Sequence, residues 1–270
     1  MHFSPRFLVT TAAGLALLAA PVVVRGQISV LSSTVEEHEA AIGETYLGRI
    51  VISNPTAVPQ SVRIYQTDYR FHADGTTNYD DPGTTTRSNA PWVTTQAQRV
   101  VVPARSEVTV PYSVKVPGSD SLKGTYWSAI MVEGAESAPP TGTGRGGQVG
   151  IGSVIRYAIQ VATHIGSTGK RAVKFEKPTA THTASGDAAL DLDVISSGER
   201  ATRPTLSVEL YDSQGVIKGK GKQLRGLLYP GTSLRQHFQF GALPPGTYKA
   251  VVFADTGDEK VLATQFTITY

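Results

Sequence analysis

The 270-residue chain contains no cysteine. That excludes a disulfide framework, and it excludes a lipid anchor attached to a cysteine at the head of an exported chain. Helical periodicity is also missing, and no apolar run after the N-terminus is long enough to span a bilayer. No zinc-ligand spacing occurs among the six histidines, which are scattered singly along the chain. Net charge is small as well, at +3. These absences argue against a nucleic-acid or anionic-membrane partner, a structural zinc site and a helical fold.

What is present begins with MHFSPRFLVTTAAGLALLAAPVVVRGQ. Arg6 precedes the apolar run 7–20, and small or tolerated residues stand before Gln27. This reads as a signal peptide, residues 1–26, cut after Gly26 (after Ala20 is the rival site). Its removal takes away Arg6 and Arg25 and no acid, leaving a charge of about +1. The mature chain is then expected to be exported, to lie in the periplasm or at the cell surface, and not to span a membrane. Its core alone must stabilise it, and about 244 residues suffice for two domains.

From residue 27 onward the pattern is one of strands. Residues 28–40 read as an edge strand with a kink at Ser32-Ser33, and 45–54 (TYLGRIVISN) as a strand closed by Asn54-Pro55. Residues 61–71 alternate strictly, and Asp74-Gly75 marks a hairpin. Residues 78–90 read as a polar loop, with Pro91-Trp92-Val93 returning to the core. Strands follow at 99–103, 107–116 and 124–133, then the loop AESAPPTGTGRGG at 135–147. Turn signals every eight to twelve residues point to an immunoglobulin-like β-sandwich over 27–165. After a linker at 166–170, strand candidates at 173–178, 188–195, 205–211, 216–218, 233–240, 246–254 and 262–270 predict a second sandwich over 171–270. The fold class is therefore all-β, two immunoglobulin-like β-sandwich domains in tandem.

One stretch stands apart. Residues 148–165, QVGIGSVIRYAIQVATHI, alternate for far longer than the about 5–6 residues of an ordinary strand. Val149, Ile151, Ser153, Ile155, Tyr157, Ile159, Val161, Thr163 and Ile165 share one parity. Such a strand can close its own sandwich over 155–165 and still offer apolar side chains elsewhere.

Signals for chemistry are weak. Ser153 lacks the glycine two residues later that a nucleophile elbow needs, and residues 142–147 lack the Lys-Ser/Thr ending of a phosphate loop. Asp74, Asp80 and Asp81 form no calcium ladder and read as solvated turns. Lys218, Lys220 and Lys222 read as a solvated edge, and Trp92 and Trp127 as core. No enzyme activity and no cofactor is expected.

The Gly43-Glu44 turn, Arg49–Thr56 (RIVISNPT), Pro91-Trp92-Val93, the valine-rich 100–116, and Tyr126-Trp127 before a loose loop and a long alternating strand together resemble the PapD-like periplasmic pilus chaperones. The resemblance covers 27–165 in sequence and 171–270 in architecture. It implies a chaperone that lends a strand to the subunits of a surface fibre, with an outer-membrane usher as a further partner. Val149, Ile151, Ser153 and Ile155 would then be the lent row, and Ile159 and Val161 would stay in the chaperone's core. The family grips the subunit's terminal carboxylate with an arginine on the first strand and a lysine at the end of the long one. Here residues 28–40 hold no arginine and 161–165 no lysine, so Arg156 and His164 are the candidate substitutes. The chain also resembles WxL-interacting surface proteins, which implies the alternative of a cell-wall binding module.

Overall fold

The computed structural model describes residues 28–134, 154–223, 226–258 and 261–270. Ten strands make up the first half: β1 (Ser29–Val30), β2 (Val35–Ala40), β3 (Thr45–Asn54), β4 (Gln60–Phe71), β5 (Thr77–Asp80), β6 (Val93–Thr95), β7 (Arg99–Val102), β8 (Ser106–Lys115), β9 (Gly124–Gly134) and β10 (Arg156–Ile165). They form one sheet in the order β1-β3-β8-β6 and a second in the order β2-β10-β9-β4-β5, with β7 also on β4. Alternation puts Ile50 and Ile52 of β3, Ile64 of β4, Ile130 of β9, and Ile159 and Val161 of β10 between the sheets. Each such side chain, once fully buried, stabilises the fold by about 1.5–3 kcal/mol.

The second half holds β11 (Val173–His182), β12 (Ala188–Ser196), β13 (Thr205–Tyr211), β14 (Ile217–Gln223), β15 (Ser233–Gly241), β16 (Thr247–Asp255) and β17 (Leu262–Thr269). Its sheets run β11-β12-β15 and β14-β13-β16-β17. Leu190, Leu192, Leu210 and Phe238 fill the space between them. Among the described residues no strand is shared between the halves, so the two immunoglobulin-like sandwiches stand in tandem.

Several strands differ from the sequence pattern, and β5, β11 and β14 show why. Residues 77–80 form β5 rather than a loop: Tyr79 packs on Tyr69 at 5.5 Å and Asp80 accepts from Arg70 at 2.7 Å. Pro178 does not end β11. The register with β12 shifts between Glu176 and Thr179, Lys177 takes φ 51°, and the bulge carries the strand past the proline. β14 runs on through Gly219 and Gly221 because Phe240 and Phe238 lie over them, where a Cβ would come within 3.0 and 3.1 Å of those rings.

The link between the halves is clamped. Thr125 N–H donates to the Glu199 carbonyl at 2.9 Å, and Arg200 donates to the carbonyls of Gly166 and Thr168. Gly124 sits at φ +74°, where a Cβ would meet the Glu199 oxygen at 2.0 Å.

Candidate functional site

β10 is flanked unequally. On one side β9 is antiparallel to it over its whole length, from Arg156↔Glu133 to Ile165↔Gly124. On the other side β2 is parallel to it only from Gln160↔Val35 to Ile165↔Ala40. Beside residues 156–159 no described strand runs on that side.

The N-terminal segment explains the gap. β1 pairs with β3 in the opposite sheet, and Leu31 N–H donates to the Val51 carbonyl there. The chain then crosses at Ser32-Ser33. The Ser33 hydroxyl donates to the Val35 carbonyl at 2.7 Å and accepts from Val35 N–H, which starts β2 only at that point. An unpaired edge bounded by a kink is ready to accept another strand by main-chain hydrogen bonding.

The lent row divides at this edge. Val149, Ile151 and Ser153 lie outside the described residues. Ile155 is described, and it corrects the pattern that places 155–165 in the sandwich. β10 begins at Arg156, and Ile155 is 40% exposed. Its carbonyl still accepts from Gly134 N–H, but Ile28 already fills the core beside Gly134, with its Cγ1 3.3 Å from the position of a Cβ there. Ile159 and Val161 are buried in the core, as the pattern requires.

Arg156 and His164 both fall on the outer face of the sheet. They are eight residues apart, about 26 Å of strand, and so cannot grip one carboxylate together. Arg156 Nε lies 2.6 Å from Glu133 Oε2, and Glu133 also takes Arg63 at 3.1 Å and the Tyr65 hydroxyl at 2.9 Å. Burial pushes the Glu133 carboxyl up, but the Tyr65 and Arg63 hydrogen bonds and the Arg156 charge more than offset it and hold it below the usual range.

His164 opens onto the cleft between the sandwiches. Its Nδ1 is 2.8 Å from the Thr125 hydroxyl, and its Nε2 is 3.3 Å from Glu37 Oε1. Glu37 reaches Arg203 of the second sandwich at 2.5 Å. The hydrogen bond with His164, joined by Arg203, outweighs burial and lowers the Glu37 carboxyl to about 2. Arg200, only 7% exposed at its side chain, reaches Glu39 at 3.0 Å, and Arg171 reaches Asp258 at 2.9 Å. The cleft measures about 410 Å³. Its charges converge from positions far apart in the chain, so no local motif announces them.

The remaining candidates have structural partners. Trp127 is buried and stacks on Tyr229, and Trp92 packs on Tyr126 at 4.8 Å. Lys218 pairs with Asp212 and Lys220 with Glu209. Among the described residues no three histidine, aspartate or glutamate side chains converge as a metal site, and no helix is long and apolar enough to cross a membrane.

No family model and no curated protein matches the chain. Solved structures do. A chain of the chaperone–tip adhesin complex of CFA/I fimbriae biogenesis is 12% identical, at TM-score 0.48, with 89% of this chain and 98% of that one covered. The class 5 fimbriae chaperone CfaA is 11% identical, at TM-score 0.47, with 88% and 98% covered. A chain of the Salmonella enterica SafA pilin–SafB chaperone complex is 12% identical, at TM-score 0.42, with 90% and 96% covered. At these identities the likeness is one of fold.

Proposed function

We propose that this protein is a non-enzymatic, periplasmic chaperone-like protein that binds subunits of a surface fibre by β-strand donation and assists their assembly. The observation that carries the reading is the edge of β10 at residues 156–159, left open where β2 begins four residues late. A subunit short of one strand would pair with this edge, and its apolar groove would take the row Val149, Ile151, Ser153 and Ile155. In this reading residues 1–26 direct export, 27–165 form the donor domain, 166–170 the link and 171–270 the second domain. An outer-membrane usher would receive the loaded complex.

The subunit's terminal carboxylate would be met at the cleft end of β10. His164 lies there with Arg200 and Arg203, which a bound carboxylate would draw from Glu39 and Glu37, whereas Arg156 lies with Glu133 at the far end. Guanidinium groups from the second sandwich would thus stand in for the first-strand arginine.

The test is co-expression with each small exported protein encoded beside this gene, followed by co-purification. Ile151→Asp with Ile155→Asp is expected to abolish capture while the circular dichroism spectrum stays that of the wild type. Undiminished capture by the folded double variant would overturn the reading.

A further inference from the structure

A second open edge lies on the opposite side of the same sheet. β7 pairs with β4 only from Gln60↔Val102 to Arg63↔Arg99, and β5 pairs with it only from Asp68↔Asp80 to Phe71↔Thr77. Ile64 N–H donates to the Gln98 carbonyl at 2.8 Å, which extends the first contact by one residue. By the alternation of an antiparallel ladder, the next residue whose N–H and C=O face this edge is Gln66. No described strand runs opposite it. The gap has room for about three residues, about 10 Å of chain.

A cleft of about 890 Å³ lies over this gap, with Arg63, Tyr65, Gln66, Pro82, Pro91 and Arg99 among its lining residues. Its far wall is built rather than loose. The Asp68 carboxylate, fully buried, accepts from Gly83 N–H at 3.1 Å, Thr85 N–H at 2.7 Å and the Ser88 hydroxyl. Pro82 and Pro91 have no N–H to offer the edge.

Charge selects the occupant. Arg63 and Arg99 are directly opposite in register, so two like charges share one face, and Glu133, opposite Arg63 on the other side, offsets only one of them. Arg63 is engaged by Glu133 and lies 4.3 Å over the Tyr65 ring. Arg99 is exposed and has no ion-pair or hydrogen-bond partner among the described residues.

We propose that this notch docks a short, extended, acidic segment of a partner protein, its backbone paired to Gln66 and a carboxylate side chain held by Arg99 beside Arg63. The site is separate from the β10 edge and does not depend on strand donation. The probe is a fluorescein-labelled, end-capped tripeptide, Thr-Val-Glu, its Val opposite Gln66 and its Glu opposite Tyr65 on the face of Arg63 and Arg99, titrated against the full chain at low ionic strength. Saturable binding is expected. Its glutamine counterpart should bind about tenfold more weakly, and Arg99→Gln should weaken the glutamate peptide by a similar factor while leaving the glutamine peptide unchanged. In ¹⁵N-labelled protein the Gln66 amide signal should shift on saturation. Lack of saturable binding at millimolar peptide, indifference to Arg99→Gln, or amide shifts confined to residues 156–159 would each overturn the proposal.

Discussion

Trp127 and Tyr229 lie face to face, ring centroids 4.8 Å apart and planes 5° from parallel, one from each sandwich. Trp127 Nε1 donates to the Tyr69 carbonyl at 2.6 Å, and the Tyr229 hydroxyl donates to Gln160 Oε1 at 2.9 Å. Tyr69, Phe71, Ala162, Ala201 and Leu227 complete this small apolar cluster between the halves. Removing Tyr229, which is 0% exposed, should cost about 3–5 kcal/mol. Tyr229→Ala is therefore expected to split urea unfolding into two transitions, and the wild type is expected to unfold in one. Tyr229→Phe keeps the stack and loses only the hydroxyl contact, and should cost about 1 kcal/mol.

The cleft should be sensitive to acid. Glu37 has a folded-state pKa of about 2 against an ordinary 4.5, so the unfolded chain takes up its proton first. Its stabilising contribution is fully present above about pH 4.5 and is lost as pH falls toward 2. Unfolding free energy measured between those limits should fall less steeply in Glu37→Gln than in the wild type. Equal slopes would mean that the contact with His164 and Arg203 is not formed in solution.

Gly124 tests how closely the second sandwich is seated. A methyl group there faces both an unfavourable backbone angle and the Glu199 carbonyl. Gly124→Ala should lower stability by about 1–3 kcal/mol, and more if the backbone cannot move aside. Gly43→Ala offers the control: φ is similarly positive at +78°, but nothing lies within 4 Å of the new carbon. Gly124→Ala should be the more costly of the two by thermal melting.

Asp68 holds the loop that walls the β4 notch. Asp68→Ala leaves the Gly83 and Thr85 N–H groups and the Ser88 hydroxyl without their acceptor. A loss of about 3 kcal/mol is expected, with hydrogen exchange at Thr85 accelerated well beyond that of β3.

Much of both sandwiches is legible in sequence because their strands are amphipathic. β3 falls on residues 45–54 as the alternation requires, and β13 on 205–211. Parity also assigns Ile159 and Val161 to the core. Legibility fails where a distant residue decides the outcome. Ile155 has the same parity as Ile159, yet Ile28, more than a hundred residues earlier, occupies the space beside Gly134. β14 looks too glycine-rich to be a strand until Phe238 and Phe240 are placed over it. Pro178 looks like a terminator until the bulge at Lys177 absorbs it. The cleft is hidden for the same reason: Glu37, His164, Arg200 and Arg203 share no local spacing, and folding alone brings them together.

The crossing at Ser32-Ser33 sets a length. Carried back from Val35↔Gln160, the parallel register would match residues 31–34 to residues 156–159. Leu31 is still bonded to Val51 of β3 and the Thr34 carbonyl already accepts from Gln160 N–H, so the crossing at Ser32-Ser33 takes up the stretch that could seal the open edge. Had the chain crossed four residues sooner, β10 would be covered from end to end. The extent of accessible edge is thus tunable by sliding this one crossover, with no change to β10 itself, and each residue of slide alters it by about 3.3 Å.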